Sequence, residues 1–211
     1  MTGAFKEPLE LTDPTSTNTE SGMLYKSLPK NPIRMRSAVD PTVTRIAVEL
    51  TLPENHRHSV VTEPLLSSLR ELVSVDCVFV TMFDVTAERI EWINSASVKI
   101  KKCNPFELVG SAQPCNSDML NRLLKHQLLD IRDYNTAGDD YALFSAQVAA
   151  LNLSSALVGG IKIGSAIRGL MSFGSHLRRS NWDMDTHLIL KLMSASYAAG
   201  YERSLLQLQK V

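Results

Sequence analysis

The spacing of apolar positions changes along this chain, and each spacing predicts an element. Val43, Ile46, Ala47 and Leu50 recur on one helical face. Pro41 at the first helical position after an Asp40 cap predicts the start of that helix, and Pro53 its end. A second helix is predicted at about 61–73, with Pro64 in its first turn and Leu65, Leu66, Leu69, Leu72 and Val73 at helical spacing. The run 76–84 is dense in β-formers and ends in a turn over 84–89, so 90–98 reads as the return strand of a hairpin. Residues 103–116, with Pro105, Gly110 and Pro114, read as irregular. Asn116 or Ser117 then caps a short helix, 118–126, that buries Met119, Leu120, Leu123 and Leu124. Residues 128–131 form a short strand closed by a polar turn over 133–138, and a helix over 139–151 buries Tyr141, Phe144, Val148 and Leu151.

The last third is the most regular. Ser-Ala-Leu-Val-Gly-Gly-Ile-Lys-Ile, 155–163, is an apolar strand broken at Gly164-Ser165, and 168–174 returns as its hairpin partner. Trp182 introduces a final helix capped by Ser180 or Asn181, with Asp183 and Asp185 in the first turn, where the helix dipole favours acids. Ser194, Ala195, Ser196, Ala198, Ala199 and Gly200 crowd the middle of that helix. A glycine inside a helix costs about 1 kcal/mol, so a closely packed neighbour is expected there. Hairpin links between successive strands make the sheet largely antiparallel with helices on both faces, an α+β chain.

Composition adjusts this picture at the N-terminus. Residues 1–37 hold Pro8, Pro14, Pro29 and Pro32, a Thr/Ser/Asn run and few large apolar side chains. They are expected to be a disordered tail ahead of a single domain spanning 38–211. Lys26, Lys30, Arg34 and Arg36 make a small basic stretch, either a docking tail or a solvated linker. Over the whole chain 22 Lys+Arg balance 22 Asp+Glu, so no net field draws it to nucleic acid or anionic lipid. No apolar run approaches the roughly 18 residues of a membrane helix. Three irregularly spaced cysteines argue against a secreted disulfide framework. The expectation is a cytoplasmic protein without nucleic-acid or membrane partners.

From about 60 to 207 the order of signals resembles the GAF domains placed ahead of bacterial diguanylate cyclases and histidine kinases. In those, a Glu-Trp pair sits on the second strand, as Glu91-Trp92 does here, and Ile-x-Asp follows the middle helix, as Ile131-Arg132-Asp133 does. A Ser opens the fifth strand (Ser155), a Gly starts the sixth (Gly169) and a Trp opens the last helix (Trp182). Where the family usually has a proline in the fifth strand, this chain has Gly159-Gly160, which loosens that strand. The resemblance implies a GAF-like, PAS-related six-stranded antiparallel sheet. Its first and last helices share one face, and a ligand pocket lies on the other. It implies a sensor or regulatory domain and not an enzyme. Such a domain binds a small molecule and signals through a homodimer of terminal helices, with Leu188, Leu192, Ala195, Ala199 and Leu206 as the shared seam. An output domain would usually begin near Val211, so the chain either acts on a partner signalling protein or is part of a longer one. The residues expected at the ligand are Trp92, Cys115, Asp133, Tyr134, Asp140, Tyr141, Phe144 and Ser155; the ligand and any cofactor stay unknown. The alternative is an interaction module whose pocket is filled by its own side chains.

Individual residues have competing readings. Trp92 suits a planar ligand and an apolar core equally. Asp139 fits a plain helix cap; a helix N-terminus also holds anions, which the adjacent acid Asp140 would resist. One GAF branch reduces free methionine sulfoxide, a thiolate attacking the sulfoxide and a second thiol resolving the intermediate. Cys77, inside an apolar strand, reads as inert, whereas Cys103 and Cys115 flank the loop expected to face the pocket. Lys101 and Lys102 favour the Cys103 thiolate, but the surrounding sequence does not resemble that branch's motif. None of the cysteines precedes a His, as bilin attachment in the family requires, and the cyclic-nucleotide signature Asn-Lys-x-x-Phe is missing. His56, His58, His126, His176 and His187 show no metal-ligand spacing, and no phosphate loop or nucleophile elbow occurs.

Overall fold

The computed structural model describes residues 40–56, 59–86, 89–97, 112–114, 117–135 and 152–209, with 59–62, 84–86, 89–97, 112–114 and 117–118 as backbone alone. The tail 1–37 and the helix expected over 139–151 lie outside the described residues. Helix α1 (Pro41–Leu50) starts as the sequence predicts, with the Asp40 carboxylate accepting the Thr42 amide at 2.7 Å. It buries Val43, Ile46, Ala47 and Leu50. A 3-10 turn, Pro53–His56, leads to α2 (Ser59–Val73). This helix begins two residues before the predicted start, so Pro64 lies inside it and not in its first turn. The proline has no N–H to offer the preceding turn.

Six strands form one antiparallel sheet: β1 (Cys77–Thr86), β2 (Arg89–Ser97), β3 (Ala112–Pro114), β4 (Leu128–Ile131), β5 (Ser155–Ile163) and β6 (Ala166–Ser175), in the order β3-β2-β1-β6-β5-β4. The β1–β2 hairpin runs closer to its turn than predicted, with Thr86 opposite Arg89. Strand β3 corrects the expectation of irregular chain over 103–116. Its three residues pair with β2 from Arg89 to Glu91 at the sheet's edge, where a terminal proline is tolerated. Helix α3 (Ser117–His126) buries Met119 and Leu123 but leaves Leu124 exposed, against expectation.

Helix α4 (Met184–Leu208) is capped by Asp183 and not by Ser180 or Asn181: its carboxylate takes the Thr186 amide at 2.7 Å and the Thr186 hydroxyl at 2.9 Å. Just before it, Trp182 is 2% exposed and shares one core with Leu69 of α2, Ile46 of α1 and Leu190 of α4. Helices α1, α2 and α4 therefore lie together on one face of the sheet. Strand β5 is continuous through Gly159-Gly160, and the glycines have a positive use. A Cβ on Gly159 would stand 2.5 Å from Ser194 Oγ and 3.1 Å from Leu190 Cγ, so α4 rests almost on the strand backbone. Gly200 makes the same kind of room on the other side of α4, for the His56 ring and the Leu50 carbonyl.

That notch finishes the exposed end of α1. His56 Nε2 donates to Leu50 O at 2.7 Å, Asn55 Nδ2 to Glu49 O at 2.7 Å, and Arg203 Nη1 to Thr51 O at 3.0 Å, satisfying carbonyls the helix itself leaves unpaired. The His56 ring meets Tyr197 edge-on, centroids 4.5 Å apart. Burial pushes the His56 imidazole below its ordinary value of 6.5, against a smaller opposing pull from the Leu50 bond. Its Nδ1 is buried without a partner, so a proton there finds no acceptor.

Two outcomes follow from this packing. Gly159→Ala should lower stability by about 1–3 kcal/mol in urea unfolding, and by less in a Ser194→Ala background, because the clash is with the removed oxygen. With the folded His56 titrating below its unfolded value, its stability contribution is complete above about pH 6.5 and falls as the pH drops through that value. The difference between wild type and His56→Gln in unfolding midpoint should therefore depend on pH over that range.

Candidate functional site

Strand alternation divides the sheet's side chains between two layers. Val78, Val80 and Met82 of β1, Leu157 and Ile161 of β5, and Met171 and Phe173 of β6 face the helices α1, α2 and α4. Their neighbours Phe83, Val158 and Leu170 belong to a second apolar cluster on the opposite face, joined there by Met119 and Leu123 of α3. A register shift between Ile161 and Lys162 puts Ile167 on that second face together with Leu170. Cys77, Phe79 and Leu153 extend it, and Tyr134 packs against both groups.

Ser172 sits in this apolar surface. It is opposite Val158 on one side and Phe79 on the other, is fully buried, and its Oγ has no hydrogen-bond partner. An unpartnered buried hydroxyl is disfavoured by about 1–3 kcal/mol. It marks the point on this face where a polar atom of a ligand would be stabilising.

The rim at one end of the face is tied down in detail. Asp133 pairs with Arg178 at 3.1 Å, and its carboxylate also takes the Asn135 amide at 3.0 Å. The Tyr134 amide donates to Ser154 O at 3.0 Å, and Ser154 N to Ser175 O at 2.8 Å. Ser155 Oγ donates to Leu177 O at 2.8 Å. Asp76 receives the Ser175 hydroxyl at 2.9 Å and the His176 amide at 2.8 Å. Thus Asp133, Tyr134 and Ser155 come together where β6 leaves for α4, and the polar groups of Asp133 and Ser155 already have protein partners. Trp92 is the ladder partner of Phe83 in β1–β2. Cys115, Asp140, Tyr141 and Phe144 lie outside the described residues, as does Cys103. Cys77 is 2% exposed. Sequence reading missed Ser172, Asp76 and Arg178. The only available signals were a hydroxyl in an apolar strand, an acid at a strand start, and an Arg pair before Trp182.

Among the described residues, no cluster of three or more His, Cys, Asp or Glu is placed to hold a metal, and no helix is long and apolar enough to cross a membrane. No protein-family model matches the chain, and no curated protein matches it in sequence. Solved structures do match its architecture. A phycocyanobilin-bound GAF domain from a cyanobacterial phytochrome aligns with TM-score 0.56 at 16% identity, over 79% of this chain and 94% of that one. A segment of a methyl-accepting chemotaxis protein aligns with TM-score 0.53 at 20% identity, over 79% and 98%. Free methionine-R-sulfoxide reductase from Neisseria meningitidis, in complex with its substrate, aligns with TM-score 0.55 at 12% identity, over 79% and 89%. The chain has the GAF fold: a six-stranded antiparallel sheet with helices on both faces.

The two serines make a contrast that tests this geometry. Ser155→Ala removes a hydroxyl that is bonded and should lower stability by about 1 kcal/mol, while Ser172→Ala removes one that is not and should be neutral or stabilising. Urea midpoints of the two variants measure both.

Proposed function

We propose that this chain is a sensory GAF module of the bacterial signalling type, working in the cytoplasm as a homodimer. A small molecule binds the sheet face opposite α1, α2 and α4, and occupancy shifts the population between two packings of those helices. The observation that supports this best is the division of labour across the sheet. One face is filled by the terminal helices, while the other carries a second, separate apolar cluster and a buried hydroxyl that lacks a partner. The same fold holds a bilin in one solved neighbour and a substrate in another.

In this reading Ser172 and Tyr134 contact the ligand, with Trp92, Cys115, Asp140, Tyr141 and Phe144 completing the site. Asp133 and Ser155 hold the rim. The dimer seam is the outward side of α4, where Leu188, Leu192 and Leu206 are 45%, 37% and 57% exposed and Ala195 is exposed between them. Exposed apolar side chains repeating every three to four residues suit a second helix. A partner signalling protein would read the change in that bundle.

A second reading is thiol chemistry, favoured by the likeness to the sulfoxide reductase. It rests on Cys103 and Cys115, since Cys77 is enclosed by Gly174 and Leu153.

Thermal shift against nucleotide, amino-acid and bilin libraries tests the first reading. A true ligand at a hundredfold excess over Kd should stabilise the protein by about 2.7 kcal/mol, and a response to no member would favour an interaction module. Leu188→Glu with Leu192→Glu should convert dimer to monomer in sedimentation equilibrium. If free methionine sulfoxide is turned over, and Cys103→Ser or Cys115→Ser abolishes it, the thiol reading replaces the sensor.

A further inference from the structure

The connection between β6 and α4, residues 176–183, is held at consecutive positions by consecutive residues of the site's rim. Arg178 pairs with Asp133 at 3.1 Å, and the Arg179 amide donates to Arg132 O at 3.3 Å. The Arg179 guanidinium then lies 4.5 Å over the Trp182 ring, and its Nη2 donates to Ser74 O at 3.1 Å at the end of α2. Trp182 is followed at once by Asp183, whose carboxylate caps α4 through the Thr186 amide and whose carbonyl takes the His187 amide at 3.2 Å. A short unbroken run of contacts thus leads from the rim, through two arginines, to both the first turn of α4 and the end of α2.

We infer that the Asp133–Arg178 ion pair and the Arg132–Arg179 backbone bond form a joint by which the rim positions the N-terminus of α4. This rests on the sensor reading for its purpose, since it names how occupancy at the rim would reach the helix layer. Two features single out this route. Asp133 is 15% exposed, so its charge is largely shielded and its pairing is directional, whereas Arg178 is 65% exposed and able to let go without leaving a buried cation. Arg179 couples that movement to an indole that is itself locked in the core at 2% exposure. A shift of the linker backbone by Arg132–Asp133 moves the guanidinium across the ring, and the cap follows. Arg178 is a positioning residue here and touches no ligand.

Residue-resolved amide exchange on the full chain without ligand tests the joint independently of what the site binds. Arg178→Gln removes the pair and leaves the Asp133–Asn135 turn bond in place. Exchange of the Thr186 and His187 amides should rise about two- to fivefold, in keeping with a partly exposed ion pair. Arg178→Lys should return it to near the wild-type rate, and the central amides of Val80 and Met171 should not change. The inference is overturned if Arg178→Gln speeds exchange only at 132–135, if Val80 and Met171 speed up as much as Thr186, or if Lys fails to rescue. A failed ligand screen would leave the joint standing, and a failed joint would leave the binding face standing.

Discussion

Helix α4 can lie on the sheet because β5 has no side chain where the two cross. The missing Cβ of Gly159 is what brings Ser194 and Leu190 down to the strand backbone, and a few turns later the missing side chain of Gly200 admits His56 and the last carbonyl of α1. Fixing α4 at this height sets the depth of the layer in which Leu66, Leu69, Phe173 and Trp182 are buried. With larger residues at these positions α4 would stand off, and the core beneath it would open to voids that close-packed interiors do not tolerate.

Putting all three of α1, α2 and α4 on one face has a consequence for the other. The second face receives only α3 among the described helices, and it holds a buried apolar cluster reaching from Leu129 to Phe83 with Ser172 in its midst. The sheet separates the two layers, so on the proposed reading any coupling between them would run around its end. There the polar groups concentrate: Asp76, Asp133, Ser155, Arg178 and Arg179 all act within the few residues where β6 becomes α4.

Much of this was legible in the sequence, for reasons that differ by element. The helical period of Val43, Ile46, Ala47 and Leu50 and the unbroken apolar run of β5 report burial directly, and burial is what organises them. Gly159-Gly160 was legible only as weakness, because the contact that uses it comes from Ser194, far along the chain. Strand β3 was illegible: three residues at an edge have too few side chains to show a period, and Pro114 argues against a strand unless its edge position is known. The Asp183 cap was hidden by two equally good capping residues just before it; burial of Trp182 decides the start. Asp133 was picked out by its place in Ile-x-Asp, but its partner Arg178 was not, since local patterns say nothing of a pairing across the sheet's end.

The proposed binding face is the side of the sheet opposite the terminal helices. Amide-shift mapping of the labelled chain against a fractionated small-molecule extract addresses it most directly. An active fraction should perturb Leu129, Val158 and Ser172 first, with smaller shifts at Thr186 and His187. Perturbation confined to the outward side of α4 around Leu188 and Leu206, with Val158 and Ser172 unmoved, would contradict it.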